Sequence, residues 1–126
     1  HREAMERAAA AGAGIIARGG VSWGGPRAAQ AKAWVRDLYD RAELDGIRGE
    51  MSPTEFLLRF TIGHPDCHTS IFGSTDSEHV RENAAAVARG PLPDDLQEEA
   101  AERLDAARAA IRREREAADR GSGSGA

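Results

Sequence analysis

The stretch Ile71-Phe72-Gly73-Ser74-Thr75-Asp76-Ser77-Glu78-His79-Val80-Arg81-Glu82-Asn83 reads as a short strand that breaks through a glycine turn into a helix. The first N–H groups of a helix have no internal partner and carry the positive end of its dipole, so they can hold an anion such as a phosphate. A nucleotide is the first ligand this chemistry suggests. Gly73 can take backbone angles that a Cβ disfavours, Thr75 or Asp76 can cap the helix, and Thr75 with Glu78 has the spacing of a capping box. Val80, Ala84 and Val87 then share one helical face, leaving His79, Glu82 and Asn83 nearer the turn. Most strand-turn-helix joins bind nothing, so the motif needs support from elsewhere in the chain.

Other chemistries fit the spacing less well. His64 and His68 are four apart, which suits a metal on a helix, but Pro65 interrupts any common helical face and no third ligand is apparent. Cys67 beside His68 suggests a thiolate nucleophile, yet neighbours on a strand point to opposite faces, and a small buried cysteine is the simpler reading. The pairs Asp94/Asp95 and Asp37/Asp40 suit helix starts and solvated faces.

The elements that must position these residues can be drawn from their periodicity. His1 to Ala11 suits a helix ending at Gly12, followed by a short buried strand within Ala13 to Ala17, around Ile15 and Ile16. A glycine-rich loop, Gly19 to Pro26, leaves that strand at the end where α/β folds bind ligands. Ala31, Trp34, Val35, Leu38 and Ala42 follow helical spacing, with Trp34 and Leu38 as the packing residues. Ser52-Pro53-Thr54-Glu55 combines an N-cap serine, proline at the first helical position and glutamate at the third, the firmest boundary in the chain. Phe56, Leu57 and Phe60 form that helix's apolar face, Gly63 and Pro65 end it, and a strand follows over about Cys67 to Phe72. Gly90-Pro91-Leu92-Pro93 stops the next helix, and Asp94 opens a last one with Leu96, Ala100, Leu104, Ala107 and Ile111 as its stripe. From Arg112 to Arg120 the stripe gives way to mixed charge, expected to be a solvated extension, and Gly121 to Ala126 has linker composition.

At 126 residues the chain allows one domain, here 1–120 with a flexible tail over 121–126. The net charge of −4 and pI of 5.6 supply no basic field for nucleic acid. The single cysteine, Cys67, excludes an internal disulfide and fits a reducing compartment, so a cytoplasmic location is expected. No apolar run approaches the roughly 20 residues that span a bilayer. The order helix, strand, helix, helix, strand, helix, helix argues for parallel α/β architecture, but two strands make neither a closed barrel nor a well-covered sheet. The opening His1-Arg2-Glu3-Ala4-Met5 suits a piece of something longer.

Taken together, Met51-Ser52-Pro53-Thr54-Glu55-Phe56-Leu57-Leu58-Arg59-Phe60, His64-Pro65, Thr69-Ser70-Ile71-Phe72-Gly73-Ser74-Thr75, His79-Val80-Arg81-Glu82-Asn83 and Gly90-Pro91-Leu92-Pro93 resemble the C-terminal part of the aldo/keto reductase family. The resemblance covers roughly residues 1 to 110. It implies the last two strands and their helices of a (β/α)8 TIM barrel, an NAD(P)H-dependent oxidoreductase that reduces aldehydes or ketones. Ala13 to Arg18 would be strand seven and Cys67 to Phe72 strand eight, with phosphate-binding loops at their C-terminal ends. Arg18, Gly19, Val21 and Trp23 would lie along the nicotinamide and pyrophosphate. Gly73, Ser74 and Thr75 would line the adenosine phosphate, His79 would occupy a position often basic in the family, and Glu82 with Asn83 would approach the adenine. Where many members carry lysine and arginine around the strand-eight turn, this chain has Gly73 and His79, which leaves NADPH and NADH both open. Arg18 stands where an aromatic ring often stacks on the nicotinamide.

Carbonyl reduction needs a positioned hydride donor and an acid for the developing alkoxide. The family's Tyr, Asp, Lys and His come from earlier strands, and no motif for them occurs here, so no residue of this chain is assigned a catalytic role. Tyr39 and Lys32, the only tyrosine and lysine, fall on one predicted helix about 10 Å apart along its axis. The reading is therefore a dinucleotide-binding part that requires a missing N-terminal barrel portion to act on a small carbonyl substrate. One alternative is a non-enzymatic partial-barrel module whose helix from Asp94 to Asp119 docks a partner. Another is a truncated, inactive fragment, which predicts exposed apolar surface around Ile15, Ile16 and Ile71.

Overall fold

The computed structural model describes residues 2–18 and 29–122. Among these, five helices and two short strands run in the expected order: α1 Arg2–Ala10, β1 Ile16–Arg18, α2 Ala29–Arg41, a single 3-10 turn at Leu44–Gly46, α3 Pro53–Ile62, β2 Thr69–Ile71, α4 Ser77–Ala88 and α5 Asp94–Ser122. The chain is thus mostly helical and of α/β class, with a parallel pair of strands.

Local chemistry accounts for the boundaries. The alanine-rich α1 closes at Gly12, whose φ of +79° is open to glycine at no steric cost. There the N–H of Gly12 donates to the Ala9 carbonyl (2.8 Å) and that of Ala13 to Ala8 (3.0 Å), satisfying the last carbonyls of the helix. Ser52 caps α3 as expected, its hydroxyl accepting from the Glu55 N–H at 3.1 Å with Pro53 in the first turn. The Glu55 carboxylate does not complete the reciprocal box; it turns instead to Arg59 and Arg89. Helix α5 carries Asp94 and Asp95 in its first turn, and it takes Gly121 and Ser122 with it before the remaining tail.

The core lies among α2, the 3-10 turn, α3 and the first half of α5. Leu44 and Phe56 are fully buried, and Leu38, Tyr39, Ala42, Leu57, Leu92, Ala100, Leu104 and Ala107 close around them. Two expectations for this region are corrected. Trp34 is 45% exposed and Tyr39, not Trp34, joins Leu38 in the core, because α2 meets α5 on the side its C-terminal half presents. Leu92, within a segment legible only as a helix stop, is a core residue. The stretch from Arg112 to Arg120 is exposed, as its charge implied.

The strands are corrected too. β1 is three residues long and not buried: Ile16 is 65% and Ile71 48% exposed. Their register pairs Ile16 with Thr69, Ala17 with Ser70 and Arg18 with Ile71. Paired residues share a face, so Ile16, Thr69, Arg18 and Ile71 stand on an exposed side while Ala17 and Ser70 are half-buried on the other. Parallel sheets are normally covered on both faces; among the described residues this pair is covered on one only. Likewise Val80 and Val87 share a face of α4 that is open to solvent, and Ala86 is the residue α4 buries.

Candidate functional site

Because β1 and β2 run parallel with Arg18 beside Ile71, the C-terminal residues of both strands lie at the same end of the sheet. Arg18 and the turn Gly73-Ser74-Thr75 are brought to that end. Gly19, Val21 and Trp23 lie outside the described residues. In the turn, the Ser74 hydroxyl accepts from the Asp76 N–H at 3.0 Å, which curls the chain toward α4. Asp76 rather than Thr75 is the N-cap, its carboxylate accepting from the Glu78 N–H at 2.8 Å. This corrects the proposed capping box, and the reason is geometric: Asp76 immediately precedes the first helical residue and is in an extended conformation.

That cap changes the electrostatics of the turn. A carboxylate at the helix start satisfies one amide and places a negative charge where an incoming phosphate would sit. His79, one turn in, lies 3.8 Å from the other Asp76 oxygen, a pair that is ionic only when the imidazole is protonated. Glu82 is exposed on α4 and Asn83 half-buried. Of the predicted residues of the second loop, Gly73, Ser74, Thr75, His79 and Glu82 are exposed and Asn83 is half-buried, with the Asp76 carboxylate among them as the cap.

Neither of two open grooves along α5 includes any of these residues. One, of about 500 Å³, is walled by Arg41 and Arg103 over an alanine floor; the other, of about 370 Å³, contains Trp34 and Ile111. Arg41 is committed to Asp37 (2.9 Å) and Glu114 (2.7 Å), which hold its guanidinium protonated still more firmly than usual. Arg103 is committed to Glu99 at 2.8 Å. Among the described residues, no cluster of three His, Cys, Asp or Glu is placed to hold a metal ion, and no helix is long and apolar enough to cross a membrane. Cys67 is a free thiol, half-buried rather than buried, and it precedes β2 instead of forming part of it.

Tyr39 is not available as a proton donor to a ligand. It is buried against α5, and its hydroxyl donates to Asp45 at 3.0 Å. Burial, then the hydrogen bond to Asp45 and its charge, push the phenol up to about 12. The Arg48 guanidinium, with the Tyr39 hydroxyl, in turn holds Asp45 below the usual carboxylate range. The folded chain keeps the phenol protonated at a pH where a free one has ionised, so the stability this contributes is intact below about pH 10 and lost as pH rises toward 12. As the chain has 1 tyrosine, absorbance titration of the phenolate reads this site alone. A native midpoint of about 12 is expected, falling to about 10 in urea. A native midpoint at the urea value would mean that neither the burial of the ring nor the Asp45 contact is kept.

What sequence reasoning missed is an ionic joint at the other end of α4, where the chain turns into α5. Arg59 on α3 donates from Nε to the Gly90 carbonyl and from Nη2 to the Pro91 carbonyl, each at 2.9 Å. Glu55 pairs with Arg59 (3.5 Å) and Arg89 (2.7 Å). The four-residue spacing of Glu55 and Arg59 was the available signal; the carbonyl partners 31 and 32 residues away were not. No protein-family model, curated protein or solved structure matches the chain.

Proposed function

We propose that this chain is the dinucleotide-binding C-terminal part of an NAD(P)H-dependent oxidoreductase of aldo/keto reductase type, whose hydride-accepting carbonyl pocket and proton donor are supplied by a further barrel portion. The observation that supports the reading is the parallel register of Arg18 with Ile71, which sets the C-terminal ends of the two strands side by side. Ligands of α/β folds bind at the C-terminal ends of strands, and in barrels the phosphate sits after the last two. The exposure of Ile16 and Ile71 suits strands whose apolar face is covered by a further part of a barrel. Arg18 would face the nicotinamide side, Gly73, Ser74 and Thr75 the adenosine phosphate, and Glu82 with Asn83 the adenine, with NADPH or NADH as ligand.

The role of this chain is to bind and orient; hydride transfer is the cofactor's chemistry. The amides at the start of α4 would hold the phosphate, against the charge of Asp76. Titration of NADPH and NADH into the chain, followed by tryptophan fluorescence, is expected to show saturable binding without carbonyl-dependent oxidation of either. Asp76→Asn keeps a capping oxygen and removes the charge, so it should tighten binding about two- to fivefold, as expected for a charge at a helix terminus. Asn83→Ala should weaken it. A cooperatively folded chain that binds neither dinucleotide, or whose affinity is indifferent to Asp76→Asn, overturns the assignment.

The same exposed isoleucines favour a second reading, a truncated fragment without an activity of its own. It predicts concentration-dependent self-association with no dinucleotide response, which the same titration combined with sedimentation would reveal.

A further inference from the structure

The attachment of β1 to β2 depends on one side chain as well as on the strand ladder. The Ile15 carbonyl accepts from the N–H groups of His68 and Thr69, each at 3.2 Å. In the opposite direction the Ile15 N–H donates to Nδ1 of the His68 imidazole at 3.1 Å. Ile15 is thus held from both sides by a residue 53 positions away, immediately before the first pair of the sheet, Ile16 with Thr69.

Nδ1 can accept a hydrogen bond only in a neutral imidazole that carries its proton on Nε2; once protonated, both ring nitrogens are donors. Two N–H groups would then face one another. An imidazole can change charge under conditions where proteins stay folded, and His68 is exposed, so protons reach its ring without unfolding. We propose that His68 is a pH-responsive latch that holds β1 on β2 when neutral and lets the α1–β1 segment open when protonated.

The charged surroundings leave the latch to His68. On β1 the titratable residue is Arg18, at the far end of the strand beside Ile71. On α3, which packs on β2, Glu55 and Arg59 are occupied with each other and with Arg89 and the Gly90 and Pro91 carbonyls. In the loop before β2 stand His64, Asp66 and Cys67. His64 has its own acceptor role, with Nδ1 taking the Asp66 N–H at 3.1 Å, and so serves as a control. Opening would separate the strand ends that carry Arg18 and the Gly73 turn, but the latch stands without any assumption about what binds there.

The test is amide hydrogen exchange of Ile15 to Arg18 in the whole chain, corrected for intrinsic rates, at pH 7.5 and pH 5. An exposed hydrogen bond of ordinary strength corresponds to a loss of protection of about three- to tenfold on acidification. His68→Asn places an amide oxygen close to the Nδ1 position and should remain protected at both pH values; His68→Ala should be equally weakly protected at both. The nitrogen shifts of the His68 ring at neutral pH should report the Nε2–H tautomer. The proposal is overturned if wild-type protection is unchanged by acidification. It is equally overturned if the pH dependence survives in His68→Asn, or is abolished by His64→Asn instead.

Discussion

Phe56→Ala is expected to remove about 3–5 kcal/mol of folding stability, because Phe56 is the largest fully buried side chain among the described residues. Phe56 is 0% exposed and belongs to the buried cluster that contains Leu44, Leu57 and Leu104. Removing its ring takes away apolar surface that folding withdrew from water and leaves a cavity that α3, capped at both ends by Ser52 and Gly63, closes only in part. Gly63 adds to that rigidity: a Cβ there would come within 2.6 Å of the Gln97 side chain, whose amide donates to the Phe60 carbonyl at 2.9 Å. A domain of this size holds on the order of 5–15 kcal/mol in total, so the variant should be near the edge of folding. Phe56→Leu, which keeps most of the volume, should lose about 1.5 kcal/mol or less and remain measurable. Urea denaturation reads both, as a lowered midpoint at unchanged slope. A loss below about 1 kcal/mol for Phe56→Ala would show that the core lies elsewhere.

Arg59→Leu should cost about 2–4 kcal/mol, from hydrogen bonds to a charged group and the carbonyls left without a donor. Its guanidinium closes the turn between α4 and α5 by holding two successive carbonyls, at a place where Gly90 adopts a φ of +80° and Pro91 has no N–H to continue the capping pattern. The side chain is 16% exposed, as is that of Glu55, so the loss leaves a shielded carboxylate with Arg89 alone. Arg59→Lys should recover less than half of the loss, since one ammonium cannot reproduce a planar fork that reaches Gly90, Pro91 and Glu55 together. A double-mutant cycle with Glu55→Gln separates the ionic part from the carbonyl contacts. Full recovery by lysine would show that charge alone matters, and that the bidentate geometry does not.

These two sites show how differently parts of the chain can be read. The α3 start was legible to the residue because Ser52, Pro53 and Glu55 act on their immediate neighbours, and so was the end of α1 at Gly12. Phe56 and Leu57 were legible as an apolar face. Arg59 was not legible as a tie to Gly90 and Pro91, because its partners are set by how α3 lies against the following turn. The same holds for Trp34 and Tyr39: helical spacing puts Trp34 on the packing stripe and leaves Tyr39 off it, and the side on which α2 meets α5 buries Tyr39 instead.

The candidate site divides along the same line. That Ile71 to Asn83 forms a strand, a glycine turn and a helix follows from residues a few positions apart, and so does the presence of a capping side chain. Which side chain caps, Asp76, is settled by the backbone entering α4, and with it the negative charge at the turn.

What the sequence by itself determined is the list of elements, their order, most of their caps and the solvated character of the last helical turns, since propensity, capping and periodicity act over single turns of chain. Tertiary structure alone decided that β1 and β2 are neighbours in parallel register, that His68 clasps Ile15, and that Ile16, Ile71, Val80 and Val87 stay in solvent. An apolar residue at the right period marks a face that can be buried; whether anything covers it depends on which elements meet, and that pairing is made across 50 or more residues by surfaces no local pattern encodes.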